Sequence, residues 1–180
     1  MKKLLIILVI FMATINESVA ANTLSKRQLH LATLASLEAQ GDLDRLAPAI
    51  NEALDGGVTI NEIKEAFSQL YAYTGFPRSL NALGTLSKVL DARKAEGKKD
   101  DEGKAWKRPK VWDDAKLALK KGTETQTKLS GKPFNYDFCP QDDYYLKAHL
   151  FGDIFAGDQL SASDREIVTV GSNTSPPMWL

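Results

Sequence analysis

The sequence predicts an all-α protein, and three observations carry that reading. Apolar residues recur at three- and four-residue spacing, as in Ile60, Ile63, Phe67, Leu70 and Tyr71, which places them on one side of a helix. Two segments open with a serine or threonine followed three residues later by glutamine or glutamate, Ser25–Gln28 and Thr59–Glu62. That spacing lets each pair satisfy the free N–H groups of a helix start. No stretch alternates polar and apolar residues with the two-residue period of a strand.

The first 20 residues read as a leader. "MKK" is basic, "LLIILVIFMATI" is apolar, and Ser18 and Ala20 hold the small-residue positions of a cleavage site. The apolar run is about a dozen residues, shorter than the roughly 20 a membrane span needs. The expectation is export, cleavage after Ala20, a periplasmic or secreted location, and no membrane association afterwards. An uncleaved anchor is the alternative. Cys139 is the single cysteine, so no disulfide can form within the chain, and it is either buried as a small apolar group or open to pairing between chains.

Ser25 starts the first helix, "LHLATLASLEA" continues it with apolar or small residues on most sides, and Gly41 ends it. A second helix carries Leu46, Ile50, Ala53 and Leu54 on one stripe, with Pro48 expected in its first turn and Gly56-Gly57 as its stop. The third starts at Thr59; Glu62, Glu65, Gln69 and Tyr73 form its opposite, polar face. Gly75 breaks it, and Pro77 opens a fourth helix reaching about Ala92. "YAYTGFPRSLNAL" is therefore a helix–corner–helix.

Residues 94–141 read as a linker. Lysines after Arg93 are diluted by Asp100, Asp101 and Glu102, which suggests a solvated stretch. "VWDDAKLALKKGTETQTKL" is one further amphipathic helix with Trp112, Leu117 and Leu119 as anchors. Residues 142–180 hold a last helical pair, "DDYYLKAHLFGDIFAG" and "SASDREIVTV". Setting Leu160-Ser161 on Leu24-Ser25 brings Ile167 onto Leu31 and Thr169 onto Thr33, so this segment reads as the truncated start of a second unit. Its apolar side needs cover from the first unit or from another chain.

The chain carries 23 basic and 23 acidic side chains, and this balance argues against a nucleic-acid partner, which needs a basic excess. Two histidines far apart and no dense carboxylate cluster give no metal set, and no cofactor is expected.

"GDLDRLAPAINEALDGGVTINEIKEAFSQLYAYTGFPRSLNAL" resembles the carboxymuconolactone decarboxylase family. Ala53, Leu54, Gly57, Val58, Thr59, Glu62, Ile63, Tyr73, Gly75, Phe76, Pro77 and Asn81 fall on its pattern. The resemblance covers Leu24 to Arg93, and Tyr144 to Val170 in part. It implies a helical bundle of the alkyl hydroperoxidase D-like type, assembly into trimers or hexamers, and either decarboxylation or thiol-based peroxide reduction. The thiol branch implies Glu, Cys-x-x-Cys and His at positions held here by His30, Asp42, Arg45 and Ala49, none of which matches. Peroxiredoxin-type chemistry needs a reactive thiolate and a resolving thiol, so it is disfavoured.

The decarboxylase branch implies a cation for the carboxylate, a donor for the developing enolate and a proton source near neutral pH. The histidine this branch carries is replaced by Ala49. The candidates are Arg78 as carboxylate clamp, His149 or Glu65 as proton carrier, and Tyr73, Asn81 and Phe76 as substrate contacts, with Glu62 a further acid. Each has a structural alternative: Arg78 an ion-pair partner, Asn81 a corner hydrogen bond, Tyr73 a packed ring, Glu62 a capping residue, His30 a core histidine. His149 and Asp153 are spaced to pair on one helix face, which orients a ring for acid catalysis or makes a surface or oligomer contact. The expected function is action on a small lactone or keto acid. A non-catalytic oligomeric or ligand-binding protein on the same fold is the alternative.

Overall fold

The computed structural model describes residues 23–174; the expected leader lies outside them. Helices α1 (Lys26–Gln40), α2 (Leu43–Asp55), α3 (Ile60–Thr74) and α4 (Phe76–Ala95) come first. A 3₁₀ turn (Lys110–Asp113), α5 (Ala115–Ser130), the short α6 (Pro140–Tyr144), a π-helical segment (Tyr145–Ile154) and α7 (Ala162–Asn173) follow. No strand occurs among the described residues.

Local chemistry sets the helix ends. Ser25 and Thr59 both close the expected capping boxes. Gly41 leaves α1 in the left-handed conformation at φ 71°, and Gly75 turns the α3–α4 corner at φ 84°, where a Cβ would be strained. Pro48 departs from expectation. Asp42 caps α2 through the Arg45 N–H, so the helix starts early and Pro48 lies inside it, past the first turn.

Helices α1–α4 and α7 share one core. Leu31, Leu34, Leu46, Ile50, Ile63, Phe67, Leu70 and Leu86 are its large members, and Leu160 and Val168 join them from the C-terminal segment. Burying each such side chain contributes about 1.5–3 kcal/mol. The apolar side of α7 is thus covered by the first four helices. Helix α7 runs beside α1 in the same direction: Arg27 and Gln28 reach Asp164 near the starts, and Gly171 lets the backbones close in at Ala32 further along. Val170 is left exposed on the outer side.

Residues 98–109 are a strap rather than a solvated spacer. Asp100 accepts from the buried Arg93 guanidinium. The Asp101 and Glu102 carbonyls accept from the Ile60 and Asn61 N–H groups at 2.9 and 3.2 Å, satisfying donors that a helix start leaves free. Helix α5 then packs on the π segment. Its buried face is Ala118, Gly122 and Gln126; Leu117 and Leu119 are only partly buried and Trp112 is exposed, so the expected anchors are not the ones used. A Cβ at Gly122 would overlap the Lys147 carbonyl, and one at Gly152 would lie 2.9 Å from the Ala118 carbonyl carbon. Backbones meet here because the side chains are missing.

Candidate functional site

A groove of about 1050 Å³ separates the bundle from the α5–π hairpin. Its volume lies at the upper end of the roughly 300–1,000 Å³ of sites that enclose drug-sized ligands. One wall is the outer face of α3 with Asn61, Lys64, Ser68 and Tyr71. The floor is α4, where Leu83, Leu86 and Leu90 form an apolar stripe beside Ser87 and Asp91. The strap and 3₁₀ turn supply Trp106 and Trp112, and the π segment supplies His149, Asp153 and Ile154.

The two tryptophans face each other at 5.8 Å and stay 55% and 43% exposed, a large apolar surface to leave in water. The Trp112 indole N–H donates to the Asp153 carbonyl at 3.1 Å, tying the strap to the π segment. Arg108 covers the Trp112 ring at 5.4 Å.

At one end His149 Nδ1 lies 3.0 Å from Asp153 Oδ2. A carboxylate at Nδ1 accepts the ring's N–H there, so the neutral ring leaves the Nε2 lone pair free to take a proton. The Tyr71 ring faces His149 at 5.7 Å and is itself stacked on Phe76 at 4.2 Å. The π geometry, seen in the Phe155 N–H bond to the Leu150 carbonyl, is often found at functional sites. At the other end Lys64 and Asp91 have no ion-pair partner among the described residues.

The polar face expected on α3 is buried. Gln69 is fully buried and Glu65 nearly so, both under α7. Arg165, 3% exposed, forms an ion pair with Glu65 and donates to the Gln69 side-chain oxygen at 3.0 Å and the Gly157 carbonyl at 2.8 Å. The Gln159 and Leu160 N–H groups complete the carboxylate at 3.1 and 3.3 Å. Glu65 borders the groove but is committed to this junction, so it is not free to move a proton. Burial lowers the Arg165 pKa while the Glu65 charge opposes the loss.

Of the residues singled out in the sequence, His149 and Glu65 line the groove; Arg78, Tyr73, Asn81 and Phe76 do not. Arg78 turns toward the end of α1, near Gly41 and Glu38. Tyr73 packs on the core and faces α7, where burial pushes its hydroxyl pKa up and the Thr169 hydroxyl partly offsets this. Asn81 is exposed on α4, with Thr85 donating to its carbonyl. Phe76 backs the groove through Tyr71. Glu62 accepts from Arg27 and closes its capping box. His30, Asp42, Arg45 and Ala49 also lie outside the groove lining; the His30 ring packs over Gly56. Cys139 precedes α6 at the N-cap position, partly buried and without a side-chain capping bond. Lys64, Trp106 and Trp112 were not read as site residues. Two tryptophans bracketing a polar linker were the available signal.

The model of the Carboxymuconolactone decarboxylase family matches residues 8–88. That part of the chain, somewhat under half of it, is similar to the carboxymuconolactone decarboxylase family. The match starts within the expected leader and ends in α4, so the family region supplies the α3 wall and the α4 floor as far as Ser87. The His149–Asp153 pair and both tryptophans come from beyond it. No curated protein matches the chain.

Proposed function

We propose that this carboxymuconolactone decarboxylase-like protein is an acid–base enzyme acting on a keto acid or lactone acid held in the groove. The observation that carries the proposal is the His149–Asp153 pair at the groove's end, opposite Tyr71. His149 Nε2 exchanges a proton with the carbon beside the carbonyl: the C–H bond breaks, its electron pair becomes the enolate, and the proton goes to the imidazole. Lys64, the lining cation with no ion-pair partner among the described residues, takes the carboxylate role first given to Arg78. For a substrate that loses carbon dioxide, the carboxylate lost is one beside the carbonyl at the His149 end: its C–C electron pair forms the enolate and His149 returns a proton to that carbon.

The test follows deuterium uptake from solvent and carbon dioxide release, using acetoacetate and paraconate as probes. A positioned acid or base contributes about 10²–10⁴-fold. His149→Gln should therefore lose at least 100-fold and Arg78→Ala should keep the native rate. Equal rates in native protein and His149→Gln would remove the proposal.

Binding without turnover is the second reading, favoured by Ala49 at the histidine position of the family pattern. It predicts saturable paraconate binding with no exchange. Export rests on the leader pattern and is tested by the mature N-terminus; a homo-oligomer rests on the family resemblance and is tested by light scattering.

A further inference from the structure

The ends of the groove differ in chemistry, and the distance between them carries a consequence. Lys64 and Tyr71 lie seven residues apart on α3, about 10 Å along its axis. Helical side chains lean toward the N-terminus, so the Lys64 stem leans away from the Tyr71–His149 end. Between the ends the lining is mostly apolar, with Leu83, Leu86 and Leu90 on α4 and Trp106 and Trp112 from the strap and 3₁₀ turn, interrupted by Ser68 and Ser87. A compact lactone acid engages one end and leaves the tryptophans wet.

We propose that the groove selects an elongated ligand, a keto or lactone acid whose carboxylate and reacting carbonyl are separated by an aliphatic chain. The carboxylate sits at Lys64, the chain lies on the leucine stripe under the tryptophans, and the carbonyl reaches His149. This rests on the acid–base reading of His149 for the placement of the carbonyl. Asp91 shares the Lys64 end and opposes a carboxylate there.

Calorimetric titration with methyl-ketone acids of increasing chain length, from levulinate upward, tests the inference. Each buried CH₂ contributes about 0.8 kcal/mol, a fourfold gain in affinity. The affinity should climb about fourfold per CH₂ and level off once the chain spans the groove. Trp106→Ala, at an exposed position, should flatten the climb. Lys64→Ala should weaken all members by about two- to fivefold and Asp91→Asn should tighten them by a similar factor. Affinity independent of chain length would overturn the inference, even if levulinate is turned over. A steep chain-length series whose turnover is unchanged in His149→Gln would sustain the elongated site and sink the acid–base role instead.

Discussion

In the bundle the interior is filled by Phe67, Leu31, Leu34, Ile50 and Ile63, large side chains that interlock. In the α5–π hairpin the partners meet at Gly122, Ala118, Ala148 and Gly152, and the buried set includes Lys147 and Gln126. The bundle gains from apolar area and tolerates small shifts. The hairpin gains from close backbone approach and has almost no space to yield. Lys147 is held by Asp143 and Asn135, both at 2.7 Å, so a paired cation is part of the hairpin's small interior. The groove lies between one body that packs by volume and one that packs by shape.

The largest expected effect is in the bundle. Phe67→Ala removes a fully buried ring and should cost about 3–5 kcal/mol in urea unfolding. If it instead costs less than the hairpin changes, the contrast is inverted. Gly122→Ala places a methyl 2.7 Å from the Lys147 carbonyl carbon and 2.8 Å from the Gly152 nitrogen. Overpacking costs about 1–3 kcal/mol, and rigid backbone on both sides puts this change at the upper end. Hydrogen exchange should show α5 and the π segment opening while α1–α4 amides stay protected. Uniform loss of protection would mean the two bodies unfold as one.

Glu38 sharpens the comparison from inside the bundle. It is fully buried, accepts from the Thr74 hydroxyl at 2.8 Å, and its second oxygen has no partner. Burial pushes its pKa from 4.5 up to about 7, with the Thr74 bond and the Arg78 charge opposing. A raised carboxyl pKa means the folded state prefers the protonated acid. Its stability is fully present below about 4.5 and is lost as pH rises through about 7. The loss is on the order of 3 kcal/mol. Urea midpoints of native protein should fall between pH 5 and pH 8, whereas Glu38→Gln should flatten that fall. An unchanged slope in the variant would assign the pH dependence elsewhere.

The smallest effects probe whether α7 belongs to the bundle. Ser25 and Ser161 cap the parallel helices α1 and α7. Ser25→Ala and Ser161→Ala should each cost about 1 kcal/mol. A Ser161→Ala cost near zero in global unfolding would place α7 outside the cooperative unit.

Reading the sequence located the bundle well because its signals are local. Capping at Ser25 and Thr59, the turn at Gly41 and the corner at Gly75 each depend on neighbours a few residues away. The candidate site was less legible. Glu65 and Gln69 have the pattern of a solvated face, and only the arrival of Arg165 makes that face interior. Asp164 and Arg165 stand in a helix that also carries Ser163, Glu166 and Thr169, so nothing local marks them as the charges that α7 buries. Arg78 follows Pro77 on the family pattern, yet the helical turn at that point aims it toward Glu38 instead of the groove.

The sequence by itself determined the four bundle helices, most of their ends, the corner and the His149–Asp153 spacing, because hydrogen bonds and side-chain periodicity within a few turns decide these. Tertiary structure alone decided that the C-terminal helix completes the first core, that the strap caps α3, and that two tryptophans face a leucine stripe. Those pairings join segments tens of residues apart, and only the packing of each surface against whatever covers it selects among them.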